Sequence, residues 1–258
     1  MGQGLFSVAG KTVVVTGGSR GIGLMIAQGF VSAGARVIIS SRKADACHAA
    51  AERLSAEGGE CVAIPADLSG TEGADRLAEA VVERFPSLDV LVNNAGATWG
   101  APLEAYPESA FDKLWAINVK AVFRLTTALL PALRAAARPD DPARVIAIGS
   151  VDGIRVPVME TYAYSATKAA VHMLTRQLAR QLAPEQITVN AIAPGPFESK
   201  MMAFALDDPT TRAAIERQVP LGRIGHPDDV AGTALFLASR AGAYLTGTVI
   251  PVDGGLTA

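Results

Sequence analysis

The sequence has little of what several function classes need. Its 258 residues hold two cysteines, Cys47 and Cys61, and three histidines, His48, His172 and His226. The cysteines lie far apart with no CxxC pairing, so isolated thiols are expected rather than a disulfide framework. Without an HExxH motif or a Cys/His cluster, no transition-metal site is expected. Charged residues make up 19% of the chain and the formal net charge is -2. Such a balance offers no basic field for nucleic acid or an anionic membrane. No apolar run reaches the roughly 18 residues that a membrane-spanning helix needs. Residues Met1 to Gly10 carry no apolar core followed by a cleavage site, so a cytoplasmic location is expected. Long linkers, internal repeats and low-complexity tracts are missing too.

What is present is apolar and regular. Half of the residues are hydrophobic and 25 are glycine, which suits close packing of helices on a sheet. Short apolar runs predict seven strands, at 11–16, 35–40, 60–66, 88–93, 143–150, 187–192 and 248–252. Continuous rather than alternating hydrophobicity marks strands buried on both faces of a parallel sheet. Helical patterns fill the intervals at 21–33, 44–57, 73–84, 108–136, 162–182 and 227–238. Strict alternation of this kind predicts an α/β fold in one domain: a doubly wound parallel sheet with helices on both faces. Ligands of such sheets bind beyond the C-terminal ends of the strands.

The turn after the first strand reads Thr16-Gly17-Gly18-Ser19-Arg20-Gly21-Ile22-Gly23. Its GxxxGxG spacing is a variant of the dinucleotide fingerprint, and the physics is shared. The turn is tight, the backbone can approach a pyrophosphate, and free N–H groups open a helix. The second strand ends Ser40-Ser41-Arg42-Lys43, with no carboxylate to hold a ribose 2′-hydroxyl. Arg20 and Arg42 instead suit a 2′-phosphate, which points to NADP(H) over NAD(H). Further on, Tyr164 and Lys168 stand four apart in a helical stretch and share a face. An ammonium beside a phenol is expected to lower the phenol's pKa and make it a usable acid–base group.

Taken together, these motifs resemble the short-chain dehydrogenase/reductase family over essentially the whole chain. They are TGGSRGIG at 16–23, Asp67, Asn93-Asn94-Ala95-Gly96, Asn118, Ser150, YSATK at 164–168, Pro194-Gly195 and Asp253-Gly254-Gly255, in the family's order. The resemblance implies a Rossmann-type fold and a catalytic tetrad of Asn118, Ser150, Tyr164 and Lys168. Tyr164 would exchange the proton, and Lys168 would tune it and hold the nicotinamide ribose. Ser150 would bind the substrate oxygen, and Asn118 would position Lys168 and a relay water. Implied cofactor contacts are Gly17, Ser19, Arg20, Gly21, Ile22, Gly23, Ser41, Arg42, Asp67, Leu68, Asn94, Ala95, Gly96, Tyr164, Lys168, Pro194, Gly195, Phe197 and Ser199. Two departures from the family pattern stand at Ser199, where threonine is common, and at Phe197, where a smaller aliphatic residue is usual. Tyr162 lacks a lysine four residues on and is set aside.

The segment 197–220 is expected to form a lid over the site. Phe197, Met201, Met202, Phe204 and Leu206 would line it with apolar surface, joined by Trp99 and Met159. An apolar pocket favours a 3-oxoacyl thioester or similar ketone over a free sugar. The SVDG, APG and LGRIG stretches resemble the 3-oxoacyl reductase branch. Glu185, just before the sixth strand, argues against an acidic carrier protein as the thioester's bearer. Alternatives are a polyol or sugar-alcohol dehydrogenase, a non-catalytic nucleotide-binding scaffold, and a serine hydrolase built on Ser150 and His172, which lacks the GxSxG elbow. The family tendency implies a homotetramer or homodimer, with the helices at 118–136 and 162–182 as its contact face.

Overall fold

Seven valine- and isoleucine-rich segments hydrogen-bond into one parallel sheet, and helices cover both of its faces. The computed structural model describes residues 4–56 and 58–258. The strands are β1 (Thr12–Thr16), β2 (Arg36–Ser40), β3 (Glu60–Ala63), β4 (Val90–Asn93), β5 (Ala143–Ile148), β6 (Ile187–Pro194) and β7 (Val249–Val252). Their spatial order is β3-β2-β1-β4-β5-β6-β7. The chain winds outward from β1 to β3, then returns to lay β4 against the other side of β1. That reversal opens a crevice between the loops that follow β1 and β4.

Side-chain alternation explains how a continuously apolar strand serves two layers. Val13, Val15, Val37, Ile39, Val90, Val92, Ile146 and Ile148 face one core. There they meet α1 (Gly21–Ser32), α2 (Ala44–Ala56) and α10 (Pro227–Ala238). Val14, Ile38, Leu91, Val145 and Val189 face the other. On that side lie α3 (Thr71–Arg84), α5 (Ala121–Ala128), α6 (Leu130–Ala136) and α7 (Tyr162–Leu182). Each fully buried aliphatic side chain contributes roughly 1.5–3 kcal/mol. The outer strands β3 and β7 are only half-buried, so burial on both faces holds for the five inner strands alone.

The structure corrects the long helix expected at 108–136. It is α4 (Glu108–Trp115), a π-turn at Ala116–Lys120, then α5 and α6. A bend of 56° separates α5 from α6. Pro131 enters at the first turn of α6, where its missing N–H cannot extend the preceding ladder. Smaller differences follow local chemistry. β3 stops at Ala63, ahead of Pro65, and β5 stops at Ile148, two residues before Ser150. α3 starts at Thr71, two residues early. Glu57, the expected end of the second helix, lies outside the described residues. The segment expected as a lid holds two short helices, α8 (Ala203–Leu206) and α9 (Pro209–Gln218). Among the described residues no single helix is long and apolar enough to cross a membrane.

At the strands' N-terminal edge a buried cation ties the layers together. Arg144 on β5 is 1% exposed. Its Nε donates to the Leu237 carbonyl at 3.0 Å, and its Nη2 donates to Ser239 O at 3.0 Å and Asp141 Oδ1 at 3.2 Å. The guanidinium thus sits on the C-terminal carbonyls of α10, where a positive charge is favourable. Lys11 Nζ reaches the same Asp141 at 2.6 Å. Arg144→Ala is expected to cost about 3 kcal/mol or more, because two buried carbonyls lose their donor and Asp141 loses one of its two cations. A urea titration checks this; a midpoint equal to wild type would contradict it.

Candidate active site

Because all strands run in one direction, the turns after them gather on one edge, and the expected site residues lie there. After β1, Gly17 has φ +67° and Gly21 φ +53°, conformations open to glycine at little cost. A Cβ on Gly23 would fall 2.4 Å from the Gly17 carbonyl oxygen, so the turn closes only without a side chain. α1 then begins at Gly21 with no side-chain cap and no acidic residue in its first turn. Its first amides are left for an anion, which fits the pyrophosphate of a dinucleotide. Arg20 and Arg42 are exposed at the same edge. Arg42 is near enough to Asp67 to help depress its carboxyl pKa, after the larger effect of hydrogen bonds from Ser69.

Thr16, which sequence reasoning passed over, joins the two central turns. Its Oγ1 accepts from the amides of Asn94 and Ala95 at 3.0 Å each and donates to the Val92 carbonyl at 3.3 Å. Asn94 Nδ2 in turn donates to the Thr16 carbonyl at 2.8 Å. The Asn94 side chain therefore shapes the glycine turn. Two further residues expected at the cofactor have buried side chains, which leaves their backbone groups as the expected contacts. Leu68 is buried in the core, leaving Asp67 alone exposed at that turn. Phe197 is 2% exposed, its ring pressed against Gly225 and not against the cleft. That packing resolves the departure at Phe197: the bulky ring enters the core, and the backbone on its far side carries Ser199 past the glycine turn. Ser199 Cβ lies 3.3 Å from where a Gly21 Cβ would stand.

The tetrad residues converge between β4, β5 and α7. Lys168 Nζ donates to the Ile148 carbonyl at 2.7 Å and lies 5.6 Å from the centre of the Tyr164 ring. A Cβ on Gly96 would be 3.0 Å from Asn118 Oδ1 and 3.8 Å from Lys168 Nζ. Asn118 sits in the π-turn, buried, where Oδ1 accepts from Ala97 N at 2.9 Å. Its Nδ2 donates to Ala97 O and to Thr167 Oγ1, both at 3.0 Å. Its side chain therefore pins the turn after β4 onto α7, beside Lys168 but not bonded to it. Ser150 caps a short 3₁₀ turn, Val151–Gly153, its hydroxyl accepting from Asp152 N at 3.1 Å.

Burial sets the charges. It pushes the Tyr164 phenol up to about 12; a hydrogen bond with Ser150 works the other way, and the nearby Asp152 adds to the rise. Burial pulls Lys168 down to about 8, and Asp152 opposes that. The expected lowering of the phenol by its ammonium neighbour is thus overturned in the cleft as it stands, because burial outweighs every opposing interaction. Asp152, unforeseen in the sequence, is the charged neighbour that both groups share. His172 does not pair with Ser150: its Nε2 has no hydrogen-bond partner among the described residues, which removes the hydrolase reading. Among the described residues no group of His, Cys, Asp and Glu could hold a metal ion.

The lid residues divide. Leu206 is buried, Met202 half-buried and Met201 exposed; the Phe204 side chain lies outside the described ones. Trp99 and Met159 are exposed at the rim, joined by the hydrogen bond from Ala101 N to Glu160 O between their loops. Glu185 is corrected by topology. It precedes β6, at the edge opposite the site, and pairs with Arg134 at 2.5 Å.

A buried histidine gives this region a pH signature. Burial, with Lys168 next, lowers the His172 pKa from 6.5 to about 4. Between those values the unfolded chain binds a proton that the fold refuses. Stability present above pH 6.5 is therefore lost as pH falls toward 4, by on the order of 3 kcal/mol. Thermal midpoints across that window are expected to fall less steeply in His172→Gln than in wild type; parallel curves would contradict it.

A family model for enoyl-(acyl carrier protein) reductase matches residues 17–257. A rhamnolipids biosynthesis 3-oxoacyl-[acyl-carrier-protein] reductase of Pseudomonas aeruginosa is 54% identical over 250 residues, covering 97% of each chain. A 5-keto-D-gluconate 5-reductase of Escherichia coli is 35% identical, covering 98% of this chain and 97% of its own. Among solved structures, the Pseudomonas aeruginosa RhlG/NADP active-site complex superposes with a TM-score of 0.96 at 53% identity, over 98% of this chain and 99% of that one.

Proposed function

Because the chain belongs to the short-chain dehydrogenase/reductase family, we propose that it is an NADPH-dependent reductase of carbonyls, acting on a 3-oxoacyl thioester or a similar apolar ketone. The observation that carries this is the convergence of Ser150, Tyr164, Lys168 and Asn118 beside an uncapped helix N-terminus on one sheet edge. NADPH, when bound, supplies the hydride to the substrate carbon. The substrate carbonyl oxygen lies between Ser150 and Tyr164. The half-buried phenol is protonated at neutral pH, so it has a proton to give to that oxygen as negative charge develops there. Ser150 holds the same oxygen by a hydrogen bond, and the Lys168 ammonium, near the ring, steadies the phenolate left behind.

Arg20 and Arg42 hold the 2′-phosphate on this reading, supported by their exposure in the turns after β1 and β2 and by the absence of a carboxylate between Ser40 and Ala44. The relative whose complex contains NADP supports the same choice. The thioester is supported by the relative at 54% identity. With Glu185 on the far edge, carrier protein and coenzyme A stand as equal bearers. The segment 197–220 acts as a lid, held by Arg212, which bonds both Glu198 and Glu216. A homo-oligomer, dimer or tetramer, is supported by the exposed Phe111, Trp115, Phe123 and Met173 on α4, α5 and α7.

Absorbance at 340 nm, followed with NADPH and with NADH against a 3-oxoacyl-coenzyme A, a polar ketone and a sugar ketone, tests the substrate. Turnover of the thioester with NADPH is expected; turnover of the sugar ketone alone, with NADH, would overturn both cofactor and substrate. Tyr164→Phe is expected to lower kcat by about 100-fold or more, the scale of a lost general acid, with NADPH still bound. Retained turnover would remove Tyr164 from the chemistry. Arg42→Ala is expected to raise KM for NADPH by about 10-fold or more, the scale of a lost charge-assisted contact, and to leave NADH within about 2-fold. Equal effects would mean that Arg42 does not touch the 2′-phosphate.

A further inference from the structure

The stripe of α7 that carries Tyr164 and Lys168 continues one step of four residues further, to His172. This side chain is 4% exposed, and the chemistry described above gives it no task. Its ring lies beneath the turn that bears Ser150. A Cβ on Gly149 would fall 2.2 Å from Nε2, and one on Gly153 would fall 2.8 Å from Cε1. The residue before Ser150 and the last residue of the 3₁₀ turn after it therefore both rest on the imidazole, and both are glycine. The backbone of Gly153 also hydrogen-bonds the ring.

The rest of the turn is held from other sides. Gly149 N donates to Ile192 O at 2.7 Å, Gly153 N donates to Ser150 O at 3.0 Å, and Asp152 N donates to Ser150 Oγ. Toward α7 the turn rests on packing: a Cβ on Gly153 would also fall 2.7 Å from Lys168 C and 2.8 Å from Ala169 N of the helix backbone, and under Gly149 the ring fills the space. A cationic side chain there would meet Lys168 and Arg176, whose positive charges disfavour it. An aliphatic one would fill the space but could not donate to the Gly153 carbonyl. A flat, neutral, polar ring satisfies both demands.

We propose that His172 is a positioning residue for Ser150: its ring fills the space under Gly149 and Gly153 and so fixes where the Ser150 hydroxyl stands relative to Tyr164. This rests on the reading that Ser150 holds the substrate oxygen. His172 touches neither substrate nor cofactor and acts through the turn alone. Misplacement by about 1 Å can cost on the order of 100-fold in rate, so removing the support costs turnover.

The test is a double-mutant cycle with Ser150→Ala, His172→Ala and the two combined, read as kcat and KM for NADPH-dependent reduction of the 3-oxoacyl-coenzyme A. NADPH affinity is measured in parallel by fluorescence. His172→Ala is expected to lower kcat by about 10- to 100-fold, with NADPH Kd within about 2-fold of wild type. In the Ser150→Ala background the same change is expected to cost less than about 2-fold, because groups acting as one unit are not additive. A wild-type kcat in His172→Ala overturns the proposal. So does a loss that persists in full without the Ser150 hydroxyl, since the ring would then serve something else. Full turnover by Ser150→Ala alone would instead remove the reading of Ser150 on which the proposal rests. If His172→Ala does not fold, His172→Asn, a smaller neutral side chain without the ring, carries the same cycle.

Discussion

The parallel direction of the strands is the constraint from which the rest follows. Hydrogen bonding all seven strands one way places every strand-to-helix turn on a single edge. Chemistry can then be assembled from residues distant in sequence without any element being bent toward another. The reversal of order between β1 and β4 opens the crevice, and one buried hydroxyl fixes its width. Thr16 Oγ1 bonds three backbone groups of the β4 segment, so the glycine turn and the Asn94–Gly96 turn move as one body. Such a tie is short-range and buried, where hydrogen bonds are least exchanged for water.

Around Tyr164 and Lys168, burial and hydrogen bonding oppose each other, and burial prevails. Burial keeps the phenol protonated and the lysine close to losing its proton. Asp152 reinforces the first and resists the second. Both groups therefore hold their protons at neutral pH in the same small volume.

Much of this was legible in the sequence because it is local. The glycine spacing of 17–23, the strand alternation and the Tyr164–Lys168 step each depend on residues within one turn or one strand, and each stands where expected. What was not legible depended on contacts across the fold. The helix at 108–136 breaks at a π-turn around Asn118, and nothing in its apolar pattern marks that insertion. Phe197 reads as lid lining because it follows Pro194-Gly195, yet Gly225, from a different loop, gives its ring a place in the core. His172 reads as an ordinary helix residue until Gly149 and Gly153 are seen to leave it room.

Glu185 shows the same difference in its sharpest form. By sequence it stands beside the helix that holds Lys168, and a charge there would bear on any acidic partner. But α7 has 21 residues and so spans about 30 Å, which carries Glu185 to the opposite edge of the sheet. That edge is also where Arg144, Asp141 and Lys11 are concentrated. Charges at the strands' beginnings lock layers together; those at their ends bind and react. In a parallel sheet, the end of a strand on which a residue falls therefore decides its role more firmly than its distance in sequence from a catalytic motif.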